Sequence, residues 1–250
     1  MSTVMTDVVK AATDLQEDPI LLRHDEDGVA TLTLNRPKQY NPLSGAMLTA
    51  LQTELDDIAQ TPAIRVVVIA AKGKAFCPGH DLKEMRATPE KRFYNELFEQ
   101  CSHMMMTINR LPQPVIAKVQ GLATAAGCQL VGACDLAVGV DTAQFATSGI
   151  NAGLFCSTPA VAVSRNVSRK QAMEMLLTGE FIDAQTALEQ GLLNRVVPAD
   201  QLDATVQALA DSIKAKSAVA VSMGKEMFYK QLEMGMAEAY HYASEVMACN

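Results

Sequence analysis

Apolar positions along this chain switch between two spacings, and each spacing predicts an element. Residues 20–37, ILLRHDEDGVATLTLNRP, place β-rich runs on either side of the acidic turn Asp25-Glu26-Asp27-Gly28, which predicts a hairpin ending at Arg36-Pro37. Apolar residues at 43, 47, 48, 51, 55 and 58 recur at helical intervals, so LSGAMLTALQTELDDIAQ predicts a helix. The unbroken β-branched run IRVVVIAA predicts a strand buried on both faces. A loop at 71–80 follows, then a helix from Asp81, a helix around 90–109, strands at PVIAKV and CDLAVGV, and helices from about residue 157 onward. Strands alternating with helices predict an α/β fold.

The tail breaks that alternation. From Asp200 to Asn250 the pattern is helical with no strand candidate, and it is rich in Ala, Met and Leu. The chain therefore divides into an N-terminal extension (1–19), a main core (20–199) and a helical region (200–250). The last is too apolar to stand as a free appendage, and its methionines suit an adaptable contact between subunits.

Composition removes several function classes. A chain of 250 residues holds one sizeable core, and 49% hydrophobic with 20% charged residues and a net charge of −7 is an ordinary globular composition. Arg65, Lys72, Lys74, Lys83 and Lys118 are scattered, so no basic stripe matches a phosphate backbone and nucleic acid is not expected as a partner. No apolar run is long enough to span a membrane. The cysteines at 77, 101, 128, 134, 156 and 249 form no CxxC pair and read as reduced, buried thiols. His24, His103 and His241 are isolated from one another, so no metal site is expected. The first twenty residues carry four acidic residues, one lysine and no arginine, which predicts a cytoplasmic protein.

Two stretches keep the backbone bare. GKAFCPGHDLKEM, residues 73–85, follows a buried strand and meets Asp81, an N-cap for a helix beginning at Leu82, so it brings backbone N–H groups near residue 80 to a helix start. GLATAAGCQL, residues 121–130, repeats the device around Ala126. Two such loops facing each other would hold one developing negative oxygen, as in an oxyanion hole. Either stretch alone reads better as small residues that permit close packing. Neither contains GxGxxG or a P-loop pattern.

The blocks LNRPKQYNPL, GKAFCPGHDL, GLATAAGCQLVGACDLAVG, AQFATSGINAGL and AMEMLLTGEFIDAQTALEQGLLNRVV follow one another in an order and at spacings that resemble the enoyl-CoA hydratase/isomerase (crotonase) superfamily, over roughly residues 20–250. Within it, GLATAAGCQL and GLFCSTP are similar to the enoyl-CoA hydratase domain-containing protein 3 group. The resemblance implies a crotonase-like spiral of ββα units with a C-terminal helical trimerisation region, assembled as a homotrimer or a dimer of trimers. It implies no permanently bound cofactor, with CoA entering as part of an acyl-CoA ligand. The family's oxyanion donors map onto the backbone N–H groups of His80 and Ala126. Its CoA contacts map onto Lys38, Gln39 and Pro42, and onto Ala75 through Leu82, which takes in Pro78, Gly79, His80 and Asp81. Acyl specificity falls to residues around 90–110 and 147–157. The family continues past the position of Asn250 with a further helix near the adenine, so part of that CoA site is expected beyond this sequence.

The resemblance also places two glutamates where this chain has Gln129 and Gly149. A neutral amide has no accessible pKa for taking a proton, and glycine offers no group at all. What is implied is an acyl-CoA-binding protein poor at conventional hydration, whose chemistry would be one an oxyanion hole alone advances, such as thioester hydrolysis or decarboxylation through an enolate. A non-catalytic acyl-CoA sensor or partner subunit is one alternative, and a hydratase or isomerase using substitute residues such as Asp81 or His80 is another. Each nearby side chain also has a structural reading: Asp81 as an N-cap, Cys156 as a small buried residue, Ser157 as the cap of the next helix, and His80 as a residue used for its amide. Asp135 reads as a turn or cap residue at the start of a strand.

Overall fold

The computed structural model describes residues 18–249; the first seventeen residues, and with them most of the N-terminal extension, lie outside the described part. The hairpin of β1 (Leu21–Glu26) and β2 (Val29–Leu34) turns through Asp27 and Gly28, whose φ values of 46° and 75° are those an Asp-Gly turn supplies. Helix α1 (Gly45–Ala59) starts at Ser44, whose hydroxyl accepts the Met47 N–H, and it buries Met47, Leu48, Leu51, Leu55 and Ile58. Three units of one kind follow. The first is β3 (Val66–Ala71), β4 (Ala75–Cys77), α2 (Leu82–Ala87) and α3 (Lys91–Arg110). The second is β5 (Val115–Val119), β6 (Leu122–Thr124) and α4 (Ala126–Ala133). The third is β7 (Leu136–Val140), β8 (Gln144–Ala146), α5 (Ser157–Val163) and α6 (Arg169–Thr178).

In each unit the first strand enters one sheet and the second enters another. The larger sheet runs β1-β2-β3-β5-β7-β10 and the smaller β4-β6-β8-β9, with β9 (Ile182–Asp183), α7 (Ala184–Glu189) and β10 (Arg195–Val197) closing the two sheets. Pairing is parallel except in the first hairpin and between β8 and β9. This is the α/β spiral of ββα units that the resemblance implies. The residues read as a loop at 71–80 contain β4, and β6, β8, β9 and β10 also lie outside the sequence-based assignment. Each is three residues long or less, too short to show a period of its own.

The C-terminal helical region has two parts. Helix α8 (Leu202–Lys214) packs on β3, β5 and β7 and buries Leu202, Val206 and Ala210 in the main core. Helices α9 (Ala218–Gln231) and α10 (Met236–Ala248) pack chiefly on each other, and α9 also touches α3. A buried polar cluster anchors α9. Lys225 Nζ donates to Asp135 Oδ2 (2.6 Å) and to the carbonyls of Ile108 (2.8 Å) and Gln113 (3.0 Å), while the Tyr229 hydroxyl donates to Asp135 Oδ1 (2.8 Å). Asp135 Oδ2 also accepts the Val115 N–H at 2.7 Å. Asp135 therefore does more than end a turn. It ties β5 and the start of β7 to the tail.

Candidate active site

The site is built where β4 and β6 run side by side and each leads into a helix. Glycine is required along this seam. A Cβ on Gly121 would lie 2.1 Å from the Lys74 carbonyl oxygen, and one on Gly127 would lie 2.0 Å from that of Cys77, so the second loop rests directly on the backbone of the first. Gly79 has φ +103°, and a Cβ there would meet the Ala125 Cβ at 3.0 Å and the Ala126 nitrogen at 3.2 Å. Ala125 itself holds φ 50° and ψ −121°, a conformation disfavoured for any residue with a Cβ, and donates its N–H to the Ala146 carbonyl at 3.0 Å. That turn begins α4 at Ala126. Among the described residues, neither the His80 N–H nor the Ala126 N–H has a hydrogen-bond acceptor.

A third segment packs against the first loop. The Leu43 N–H donates to the Gly79 carbonyl at 2.8 Å, and Leu43 and His80 form a parallel bridge. Asn41 holds the segment in place: fully buried at φ 62°, its Oδ1 accepts the Arg36 N–H at 2.8 Å and its Nδ2 donates to the carbonyls of Lys72 (2.8 Å) and Ala75 (2.9 Å). Sequence reasoning passed over Asn41, although an Asn before a Pro between a strand and a helix is a recognisable turn signal. Lys38 and Gln39 lie on an exposed turn just before it, Pro42 is buried beside Leu43, and Ala75, Pro78 and Gly79 are buried or half-buried in the first loop. Leu82 is exposed at the first turn of α2.

Gln129 lies on α4 and is 4% exposed, and its buried Oε1 has no partner. Gly149 lies in a 3-10 turn over Ser148–Ala152, tied to β6 by a 2.6 Å hydrogen bond between the Ser148 and Thr124 hydroxyls. A Cβ on Gly149 would lie 2.7 Å from Cys156 Sγ and 2.7 Å from the Leu154 carbonyl oxygen. Residues 154–156 thus fill the space a side chain at 149 would enter.

The other titratable groups are mostly committed. Asp81 accepts the N–H groups of Lys83 (3.0 Å) and Glu84 (3.4 Å) and lies 3.6 Å from Arg36. Glu84 accepts the Gly45 N–H with both oxygens. Burial pushes the thiols of Cys77 and Cys128 up to about 12 and that of Cys156 upward, so all three are protonated at neutral pH. Ser157 is the first residue of α5 rather than its cap; Cys156 occupies the cap position and no side chain caps the helix.

His80 differs from the reading of its side chain as incidental. Nδ1 lies 3.1 Å from the Leu43 carbonyl oxygen, and the ring packs on Phe98 with centroids 5.4 Å apart. A carbonyl only accepts, so Nδ1 carries the hydrogen and Nε2 is a bare lone pair. Nε2 is buried and has no partner. Burial moves the ring's pKa below its ordinary value, against the smaller opposing effects of the Leu43 carbonyl and Glu84. Phe98 also lines a groove of about 510 Å³ between α3 and α5, together with Ser102, Met106 and Thr158. The groove reaches the His80 loop through Phe98, which packs on the His80 ring.

A family profile described as Enoyl-CoA hydratase/isomerase matches residues 24–248. The chain is 47% identical over 225 residues to enoyl-CoA hydratase domain-containing protein 3, mitochondrial, of Rattus norvegicus, covering 90% of this chain and 75% of that protein. The Homo sapiens protein of the same name is 48% identical over 224 residues, covering 90% and 74%. Among solved structures, an enoyl-CoA hydratase of Mycobacterium smegmatis superposes with a TM-score of 0.92 at 56% identity, covering 93% of this chain and 91% of that one. Human enoyl coenzyme A hydratase domain-containing protein 3 superposes with a TM-score of 0.89 at 46% identity, covering 92% and 91%. The names of the rat and human relatives overturn the expectation of a cytoplasmic protein. That expectation rested on the acidic first residues, and address segments are read separately from the folded core, so their composition does not report where the core is used.

Proposed function

The chain belongs to the enoyl-CoA hydratase/isomerase family, and from that premise we propose that it binds acyl-CoA thioesters with the thioester carbonyl oxygen between the N–H groups of His80 and Ala126. The observation that carries this reading is that both amides lack an acceptor while their loops are in backbone contact through Gly79. Donors held ready by a rigid backbone stabilise a developing oxyanion without reorganising, which is why such a pair serves catalysis. The exposed turn at Lys38 and Gln39, continuous with the segment bonded to Gly79, suits the CoA portion, and the groove between α3 and α5 suits the acyl portion.

The reaction is one that passes through an enolate or a tetrahedral oxyanion, such as decarboxylation or thioester hydrolysis, rather than the addition of water by paired glutamates. General acid–base assistance is worth roughly 10² to 10⁴ in rate, and Gln129 and Gly149 supply none. A second reading, a non-catalytic acyl-CoA-binding subunit, is favoured by the filling of the Gly149 position by Cys156 and Leu154.

Calorimetric titration with butyryl-CoA and a crotonyl-CoA hydration assay test the proposal. Saturable binding is expected, with hydration slower than about 10 per second, the ordinary enzyme scale. Ala126→Pro removes one of the two N–H groups and weakens binding or turnover. Hydration at or above the ordinary scale would refute the altered-chemistry reading, and unchanged behaviour of Ala126→Pro would refute the oxyanion assignment.

A further inference from the structure

We infer that His80 is the general base of this site, taking a proton through Nε2 from the carbon next to the thioester carbonyl; the inference rests on the acyl-CoA reading above. The residue carries two unpartnered groups. Its amide is one of the two acceptor-free donors, and its ring carries the unpartnered Nε2. A buried polar atom with no hydrogen bond costs roughly 1–3 kcal/mol; of the five such side-chain atoms among the described residues four are glutamine amide oxygens, and His80 Nε2 alone can take up a proton near neutral pH. The hydrogen bond from Nδ1 to the Leu43 carbonyl fixes the tautomer that leaves Nε2 free, the role a second group plays in orienting a catalytic histidine. It also stabilises the imidazolium once the proton has been taken.

The competing groups are unsuited to the task. Asp81 caps α2, Glu84 is bonded to Gly45, the cysteine thiols are held protonated, and Gln129 and Gly149 have no proton to exchange at neutral pH. Burial keeps the His80 ring neutral near pH 7, the form that accepts a proton. Phe98 touches the ring and also lines the groove between α3 and α5.

The step balances without a co-reactant. The C–H bond at the α-carbon breaks, its hydrogen moves to Nε2 as a proton, its electron pair forms the enolate double bond, and the carbonyl π pair moves onto the oxygen held by the two amides. Returning the proton to the same carbon gives exchange with solvent. In a β,γ-unsaturated acyl group, returning it to the γ-carbon gives the conjugated isomer.

The test uses butyryl-CoA in deuterium oxide, with NMR following exchange at the α-carbon and calorimetry following binding. The wild type binds and exchanges, and its rate rises with pH to a plateau whose midpoint lies below the ordinary histidine value. His80→Gln retains the backbone amide, binds within a few-fold of wild type, and exchanges slower by about 10² or more. Added imidazole restores part of the exchange in His80→Ala. Binding without exchange in the wild type, or equal exchange in His80→Gln, overturns the inference and leaves the acyl-CoA reading standing. Absence of butyryl-CoA binding removes both. Should neither variant fold, the wild-type profile decides, and exchange with no titrating step below the ordinary histidine value of about 6.5 overturns the assignment.

Discussion

Gly127 tolerates no side chain, because a Cβ there would lie 2.0 Å from the Cys77 carbonyl oxygen. Gly127→Ala is expected to lower the unfolding free energy by about 3 kcal/mol, at the upper end of overpacking effects, as read from a urea midpoint. Ala125 has the opposite sign. Its φ of 50° stores strain of about 1–3 kcal/mol, more than the roughly 0.5–1 kcal/mol that glycine loses in backbone entropy, so Ala125→Gly raises the melting temperature. For His80 the sign follows from burial. Its folded pKa is depressed, so the folded chain binds that proton less readily than the unfolded chain, and the associated stability is present above the ordinary value of 6.5 and is lost as pH falls through the folded pKa. The wild type should therefore lose more melting temperature than His80→Gln when the pH is lowered from about 7 to about 5. Restoring glutamates is expected to fail. Gln129→Glu with Gly149→Glu gains no crotonyl-CoA hydration, because Cys156 Sγ and the Leu154 carbonyl occupy the second position.

At the scale of elements, the decisive contact is between strands of three residues. β4 and β6 pair in parallel, and each delivers its donor amide to the site within three residues of its end. Helices α1 and α3 were legible from the sequence because their apolar positions repeat, and β3 because its β-branched run is unbroken. β4, β6 and β8 were not, because a three-residue strand carries no period and its partner is set by the neighbouring unit of the spiral. Helix α9 illustrates the same limit from the polar side. Lys225 and Asp135 are ninety positions apart, and nothing local marks them as partners, yet they are bonded at 2.6 Å in the interior. Lys225→Met leaves Asp135 buried with only the Val115 N–H and the Tyr229 hydroxyl, and is expected to destabilise by about 3 kcal/mol. The double variant Lys225→Met with Asp135→Asn should lose less than the sum of the two singles, because it removes the unpaired charge. Denaturant unfolding of the four proteins checks this.

For the whole molecule, the tail separates into a helix that belongs to the core and a pair that faces outward. α9 and α10 leave Phe228 53%, Met236 76%, Tyr240 71% and Met247 81% exposed. Apolar exposure on this scale suits a contact between subunits, and the proposal of a trimer or a dimer of trimers built through the helical tail after Asp200 predicts a mass three or six times that of the chain by light scattering at micromolar concentration. Phe228→Glu with Tyr240→Glu should shift that mass toward the monomer while leaving the far-UV dichroism intact.

The order of the units, the two bare loops, and the absence of a carboxylate at 129 and 149 were determined by the sequence alone, since each depends on which residues are present and how far apart they stand. Tertiary structure decided the rest. Whether the amides of His80 and Ala126 are free depends on hydrogen bonds made or left unmade by residues from three segments, and the space at Gly149 depends on where residues 154–156 fold. The role of the His80 ring turned on Leu43, thirty-seven residues earlier, because a tautomer is fixed by the partner that the fold brings to one nitrogen, and chain-local chemistry contains no such partner.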